Sequence, residues 1–284
     1  MFEKILIATD FSAPADRLVE HAGELLAWGA KEAVLAHFVE SPDRLRLAGE
    51  MLGHAAEMLR EREARLREMG FFQTSSRLDV GLPGRMLHDL CQEINPSLVV
   101  LGSHGKGIWK RALLGGTSDA VMRTSRWPLL LVRVALLEGD VPQRLFDTRA
   151  VLYPTDFSVN AAAVPRYLKR LPGLERVGLL HVHERSRIEP YLIGRLDEFD
   201  RIDRERLDLI RNHLLAGGVK EVEVAMEMGN AARSILDCSE RGDYKLVALG
   251  LRGRTLLDDV FIGSVAANLA RYSKVPLLLV PHTA

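Results

Sequence analysis

The sequence is poor in cysteine, has no excess charge of either sign and lacks long apolar runs. Its two cysteines, Cys91 and Cys238, are too few for a disulfide framework. The 38 lysines and arginines equal the 38 aspartates and glutamates, so no basic surface for nucleic acid or an anionic membrane is predicted. The longest apolar run, residues 129–137, is interrupted by Arg133 and is too short to span a membrane. Residues 1–5 lack the pattern of a signal peptide, and we therefore expect a cytoplasmic protein.

What the sequence does contain is an internal repeat. The segment Thr-Asp-Phe-Ser occurs at residues 9–12 and 155–158, and Pro-Leu-Leu-Leu-Val occurs at 128–132 and 276–280. A period this long indicates two complete domains rather than the short units of a solenoid. The length of 284 residues suits two domains of about 100–150 residues each. The predicted boundaries are 1–137 for the first domain, 138–147 for an aperiodic linker and 148–284 for the second domain.

Each half alternates short runs rich in valine, leucine and isoleucine with longer stretches of helical spacing. Short continuous apolar runs are typical of strands buried on both faces of a parallel sheet. The predicted strands are residues 4–8, 33–38, 77–80, 98–101 and 129–132 in the first half, and 150–153, 177–182, 222–226, 246–249 and 277–280 in the second. Two first-half helices are predicted at 13–28 and 42–69. The alternation predicts an α/β fold in each half, with an open, doubly wound, five-stranded parallel sheet of the Rossmann-like type.

The last strand of each half is the repeated Pro-Leu-Leu-Leu-Val segment. It follows a proline and closes its domain, so it is expected at a sheet edge, where unpaired backbone groups invite another strand. We expect the two copies to meet and to make the chain an internal pseudo-dimer. Whether two chains pair again into a homodimer is left open, because that contact would have to use another surface.

A glycine-rich loop follows the fourth predicted strand of the second half. Gly250, Gly253, Gly263 and Ser264 form the pattern G-x2-G-x9-G-S. The first two glycines have no Cβ, so they can adopt positive φ and let a ligand approach the backbone closely. The last two residues open a helix, whose N-terminal amides and dipole favour an anion. Arg252, inside the turn, is expected to donate a charge-assisted hydrogen bond to a phosphate.

Two further residues of the second half belong to the same edge of the predicted sheet. Asp156 follows the first strand, and Val182 ends the second. Ligands of open α/β sheets bind outside the carboxyl ends of the strands. We therefore expect these two residues and the glycine loop to converge on one crevice that holds a nucleotide.

These features together resemble the universal stress protein family in its tandem form, over nearly the whole chain. The resemblance rests on the Thr-Asp-Phe-Ser segments, the glycine loops and the Val-Pro-Leu-Leu-Leu-Val ending. It implies a stress-response function and a fold like that of adenine-nucleotide alpha-hydrolases. In the ATP-binding branch of the family, the matching acid and aliphatic residue contact the nucleoside, which implies Asp156 and Val182 near adenine and ribose. The residues implied around the phosphates are Gly250, Arg252, Gly253, Gly263, Ser264 and the backbone of Val265.

The ligands that the resemblance implies are ATP or AMP, with Mg²⁺ accompanying ATP. Asp258 and Asp259, in the nine-residue loop, either help to hold Mg²⁺ or form a solvated loop face. The second interpretation is favoured, because short motif matches often arise by chance.

The first half keeps only part of the pattern. Where the second half has Ser264, the first has Gly116, and only a one-residue shift would bring the Thr117 hydroxyl there. Losing one hydrogen bond to an ionised phosphate costs about 1.5–3 kcal/mol. Phe38 replaces Val182 and crowds or stacks on the base. We therefore predict a weaker or vacant second site, formed by Asp10, Gly102, His104, Gly105, Gly115, Gly116 and Thr117.

Other kinds of site find less support. His181 and His183 alternate on the second strand of the second half, but a zinc site needs three or four ligands. Ordinary hydrogen-bonding roles are therefore favoured, and no metal site is predicted. Gly105-Lys106-Gly107 does not satisfy the P-loop pattern, and neither a G-x-S-x-G elbow nor an aligned Cys-His set supports a hydrolase.

Three hypotheses of function remain. In the first, adenine-nucleotide binding, mainly in the second domain, alters a surface that binds an unidentified protein partner, with no catalytic residue and no efficient catalysis. The second is a slow ATPase or nucleotidyl transferase, for which Asp156, Asp258 and Asp259 are the candidate general bases. The third is a nucleotide-free interaction scaffold, which the intact second-half motif disfavours.

Overall fold

The computed structural model of the protein describes residues 1–40, 50–103, 115–133, 136–137, 143–184, 196–253 and 263–282. The first half contains β1 (Lys4–Ala8), α1 (Ala13–Glu20), a 3-10 helix (His21–Leu26), β2 (Glu32–Val39), α2 (Glu50–Glu68), β3 (Gln73–Val80), α3 (Pro83–Ile94), β4 (Leu98–Gly102), α4 (Gly116–Thr124) and β5 (Leu129–Val132). The second half contains β6 (Ala150–Pro154), α5 (Val159–Leu168), β7 (Arg176–His183), α6 (Leu196–Ala216), β8 (Glu221–Met228), α7 (Ala231–Arg241), β9 (Leu246–Gly250), α8 (Ser264–Tyr272) and β10 (Leu277–Val280). None of the described helices is both long enough and apolar enough to cross a membrane.

The strands form one ten-stranded sheet in the order β3-β2-β1-β4-β5-β10-β9-β6-β7-β8. Neighbouring strands within each half are parallel, and helices connect them. In each half the chain adds two strands to one side of its first strand, β2 and β3 beside β1 or β7 and β8 beside β6, and then two strands to the other side, which makes the half doubly wound. The α/β fold predicted from the alternating pattern is therefore confirmed.

The two copies of the Pro-Leu-Leu-Leu-Val segment meet at the centre of this sheet. β5 and β10 pair antiparallel, with Leu131 opposite Leu277 and Leu129 opposite Leu279. Every residue of both strands is buried. Each strand is the edge of its own half, and pairing satisfies backbone groups that would otherwise be exposed.

The hydrophobic core also crosses from one half to the other. One cluster, on one face of the sheet, contains Leu130 and Leu278 of the central strands. Within it the rings of Phe2 and Tyr167 are stacked with their centroids 5.9 Å apart, although the two residues belong to different halves. Burial of apolar surface therefore stabilises both halves jointly.

The strands lie within a few residues of their predicted positions, and the largest difference is in β3. This strand begins at Gln73 rather than at residue 77 and alternates between exposed and partly buried residues. β3 is an outer strand of the sheet, so its sequence carries no continuous apolar run.

The predicted helix at 13–28 is wrong in its second part, where the chain forms a 3-10 helix instead. The Glu24 carboxylate accepts hydrogen bonds from the backbone N–H groups of Leu145 and Phe146, at 3.0 and 2.8 Å. This tertiary contact holds Glu24 against the segment that enters β6, and helical spacing alone does not reveal it. Residues 42–49 of the second predicted helix, and 138–142 of the predicted linker, lie outside the described residues.

Candidate functional site

The Thr-Asp-Phe-Ser segment forms a tight turn at the carboxyl end of β6. The backbone N–H of Thr155 donates to the Leu180 carbonyl at 2.8 Å, and its hydroxyl oxygen accepts from Phe157 N–H at 3.1 Å. Asp156 Oδ1 accepts the backbone N–H of Ser158 at 3.0 Å. Phe157 has φ 59°, a left-handed conformation that these contacts stabilise. The turn therefore holds the Asp156 carboxylate at the sheet edge.

The glycines of the second-half loop serve close approach rather than positive φ. Neither Gly250 nor Gly253 adopts the left-handed φ that glycine permits. A Cβ on Gly250 would lie 2.8 Å from the backbone nitrogen of Ala161, and one on Gly253 would lie 3.0 Å from Asp156 Oδ2. Glycine is required at 250 because α5 packs directly against the end of β9, whereas at 253 a side chain would crowd the Asp156 carboxylate.

The first turn of α8 presents backbone amides to the same region. Gly263 is the N-cap residue, and among the residues that the structure describes no side chain caps the helix there. A Cβ on Gly263 would lie 3.5 Å from the backbone nitrogen of Gly253, so the loop and the helix start are adjacent. Uncapped amides at a helix N-terminus, together with the helix dipole, favour an anion.

These elements enclose a cavity of about 400 Å³, which we call the second-half cavity. It lies outside the carboxyl ends of β6, β7 and β9, where open α/β sheets bind ligands. Its volume is within the range of about 300–1,000 Å³ found for small-molecule pockets. The structure brings all of the main predicted site residues together in its lining: Asp156, Val182, Gly250, Arg252, Gly253, Gly263, Ser264 and Val265.

Arg252 lines the second-half cavity but extends toward the first half. Its Nη2 donates to the backbone carbonyl of Arg123, near the end of α4, at 3.0 Å. In return, Arg133 of the first half donates to the carbonyl of Tyr272, at the end of α8, at 3.2 Å. Cations favour helix C-termini, so both contacts are stabilising.

In the first half the corresponding helix is α4, and it begins without the one-residue shift that would bring Thr117 to the position of Ser264. Gly115 is its N-cap and Gly116 its first residue, so Gly116 takes the place of Ser264 and Thr117 that of Val265. The structure therefore contradicts a role for Thr117 as the replacement hydroxyl, because the helix start is in the same register in both halves.

The remaining first-half residues show where the two halves differ. Asp10 repeats the turn, with Oδ1 accepting Ser12 N–H at 3.0 Å. Gly102 ends β4, and its carbonyl accepts the Ser118 hydroxyl at 2.7 Å. Phe38 is buried in the hydrophobic core, whereas Val182 is partly exposed. His104 and Gly105 lie outside the described residues, as do Asp258 and Asp259.

Sequence reasoning missed one wall of the second-half cavity, which comes from α6. Phe199 and Asp203, four residues apart on one helix face, line the cavity. The same face continues through Leu207 and Leu214, both fully buried. A carboxylate inside an apolar helical stripe is the signal that would have identified Asp203.

The fold and the site define a tandem α/β protein with a cavity at the carboxyl edge of its second sheet half. The model of the universal stress protein family matches residues 1–133 and 148–281. The chain therefore belongs to the universal stress protein family, in its tandem form.

Individual relatives agree with this assignment. A universal stress protein of Methanocaldococcus jannaschii is 24% identical over 156 residues, which cover 47% of this chain and 96% of that protein. A universal stress protein of Mycobacterium tuberculosis is 26% identical over 210 residues, covering 69% of this chain and 68% of its own. The crystal structure of a universal stress protein from Archaeoglobus fulgidus superposes over 100% of both chains, with a TM-score of 0.75 and 22% identity, which shows a shared fold.

Proposed function

We propose that this chain is a stress-response regulatory protein that binds an adenine nucleotide, ATP or AMP, in the second-half cavity. The observation that carries the proposal is the arrangement of Asp156, the glycine loop and the uncapped start of α8 around that one cavity. Nucleotide phosphates are anions that such a helix start favours. The resemblance of the G-x2-G-x9-G-S pattern to the ATP-binding branch of the family supports an adenine nucleotide, with Mg²⁺ accompanying ATP.

The polarity of the cavity supports the same ligand. The lining combines apolar side chains, among them Val182, Ala231 and Ile235, with polar ones such as Asp156 and Ser264. A nucleotide has a base with apolar faces at one end and phosphates at the other. Small-molecule sites commonly combine apolar walls with a few placed polar groups, which fix the orientation of the ligand.

A regulatory role is favoured over efficient catalysis by the engagement of Asp156. Its Oδ1 accepts the Ser158 N–H that shapes the turn, so a proton taken up there would weaken the turn. Arg252 supplies a route for regulation. A phosphate that competes for its guanidinium would release the Arg123 carbonyl and so alter the contact with the first half.

The test begins with denaturation of freshly purified protein and identification of any released nucleotide by mass spectrometry. We expect about one equivalent of ATP or AMP per chain, because the first-half site lacks the hydroxyl of Ser264. ADP alone would favour the slow-ATPase hypothesis. No nucleotide, together with no heat of binding on addition of ATP and Mg²⁺, would favour the interaction scaffold.

A matched pair of variants then locates the site. Gly263→Val places a branched side chain at the start of α8, and we expect nucleotide affinity to fall by at least a hundredfold, since phosphate and side chain would compete for the same space. Gly115→Val makes the same change at the first-half N-cap, and binding should stay nearly unchanged. Equal binding by Gly263→Val and the parent protein, measured by calorimetry, would contradict the proposed site.

A further inference from the structure

Two histidines and one aspartate converge at the wall of the second-half cavity. His181 and His183 project from the same face of β7, and Asp203 of α6 faces them. The Nε2 atoms of both histidines lie 3.6 Å from Asp203 Oδ2, and the three ligand atoms are all within 4.8 Å of one another. Tetrahedral zinc ligands, each about 2.1 Å from the ion, lie about 3.4 Å apart. The two histidine–aspartate distances therefore match the spacing of ligands to one metal ion.

The hydrogen bonds around the cluster orient its ligand atoms. His181 Nδ1 lies 2.7 Å from the Thr155 carbonyl oxygen, which can only accept, so Nδ1 carries the proton. The nitrogen that faces Asp203 is then Nε2, which in neutral imidazole has a lone pair. Asp203 Oδ1 accepts from Arg206 at 3.1 Å, which leaves Oδ2 toward the histidines. Carbonyl and charged partners of this kind orient the ligands in known metal sites.

His183 supplies the strongest indication that something is bound between these side chains. Its Nε2 is buried and has no hydrogen-bond partner among the residues that the structure describes. The nearest carboxylate oxygens, on Asp203 and Asp200, are 3.6 and 3.5 Å away, too far for a good N–H···O bond. A buried polar atom without a partner is unfavourable, and a metal ion would satisfy this nitrogen and the carboxylate together.

The first half provides an internal comparison for His181. His37 occupies the same place on β2, with Nδ1 2.8 Å from the Thr9 carbonyl. Its ring packs on Phe11 as that of His181 packs on Phe157. His37 and His181 therefore each support the turn of their own half, and a histidine at this position does not by itself indicate a metal.

The other two ligands exist only in the second half. Val39 stands on β2 where β7 has His183. Arg62 lies over Phe11 as Arg206 lies over the matching phenylalanine, and this register places Leu59 where α6 has Asp203. Both replacements are apolar. The second half thus has two polar residues where the first has two apolar ones, and a ligand bound only in the second half explains both differences.

We propose that His181, His183 and Asp203 bind one divalent transition-metal ion of the zinc class. Nitrogen and carboxylate ligands suit zinc, and their side chains are nearly buried, with exposed fractions of 7, 12 and 13%. Three protein ligands leave a fourth position for water or for a group in the adjoining cavity. The sequence alone indicates only the two histidines as a pair. Asp203 lies on a different element, α6, twenty residues after His183. The proposal does not depend on nucleotide binding.

The test uses tag-free, full-length protein freed of metal with a chelator and of nucleotide by refolding or extensive dialysis. Titration with Co²⁺ should produce the visible absorption of a four-coordinate site, and Zn²⁺ should displace it with a stoichiometry of one per chain. Asp203→Asn keeps the side-chain shape but removes the charge, and His183→Ala removes a ligand. We expect each to weaken Zn²⁺ binding at least tenfold in competition with a chromogenic chelator.

His213→Ala is the matched control, because this histidine also lies on α6 but contacts Lys169 outside the cluster. Its Zn²⁺ affinity should equal that of the parent protein. Circular dichroism and the metal-free Tm show that each variant is folded. The proposal is overturned if the parent protein gives no cobalt spectrum and no zinc competition. It is equally overturned if folded Asp203→Asn and His183→Ala bind Zn²⁺ as tightly as the parent.

Discussion

The first and second halves of the chain share their turns, their strand order and the register of the helix after the fourth strand, but they differ where side chains face the second-half cavity. Gly116 corresponds to Ser264, and Phe38 to Val182. In the proposed metal site, Leu59 corresponds to Asp203. The turns and glycines that shape the backbone are duplicated, whereas several side chains that line the second-half cavity are not.

The halves are nevertheless one structural unit. The central β5–β10 pair, the shared core and the two reciprocal arginine contacts all join them. The second-half cavity thus depends on the first half, even if the first half binds no nucleotide. Each half covers the edge strand of the other, so the first half has a structural role whether or not it binds a ligand.

The largest expected effect comes from breaking the joint between the halves. Leu130→Asp places a carboxylate in the fully buried core beside β10. We expect a loss of more than about 4 kcal/mol in the free energy of unfolding, because a buried unpaired charge is among the most destabilising changes. Leu209→Asp, at a largely exposed position, is the control and should change stability by less than about 0.5 kcal/mol.

Urea denaturation followed by two signals can distinguish unfolding of the first half from unfolding of the whole chain. All three tryptophans lie in the first half and all five tyrosines in the second, so tryptophan fluorescence reports the first half while far-ultraviolet circular dichroism reports both. In Leu130→Asp the two transitions should move together to lower urea. A second transition that stays at the parent midpoint would show that the second half folds independently of the joint.

A smaller effect tests whether Gly116 accounts for the difference in binding. Outside the adjacent helix backbone, no atom of the described residues lies within 4 Å of a Cβ on Gly116, so serine fits there without strain. In a Gly263→Val background, which removes the second-half site, Gly116→Ser should tighten ATP binding about tenfold or more through one added hydrogen bond to phosphate. Gly116→Ala, which adds no hydroxyl, is the calorimetric control. If serine and alanine behave alike, the weakness of the first half lies instead with Phe38.

The smallest effect concerns the two thiols, which also differ between the halves. Burial raises the pKa of Cys91 from 9.0 to about 12, and burial followed by the charge of Glu227 raises the pKa of Cys238. Because only the thiolate reacts, both should label slowly at pH 8 and faster as the pH rises. Cys238, which is less buried, should react with a disulfide reagent before Cys91. Rapid labelling of folded Cys238→Ser, in which only Cys91 remains, would contradict this order.

Much of the fold could be predicted because buried parallel strands are continuous apolar runs that stand out in any sequence. β1, β5 and β10 have the predicted ends without change. β3 was predicted too short, since an outer strand alternates in exposure and has no such run. The 3-10 helix was missed because Glu24 is held by a segment more than a hundred residues away, and local spacing contains no trace of that contact.

The sequence by itself determined that the chain is a tandem repeat, that its last strands pair and that the glycine loop, Asp156 and Val182 share one edge. Periodicity and the order of elements suffice for these conclusions, because strand ends in a parallel sheet must meet at that edge. Only the tertiary structure decided that Arg252 reaches into the first half and that Asp203 faces two histidines. Such contacts join side chains far apart in the chain, and their distances depend on how helices pack on the sheet.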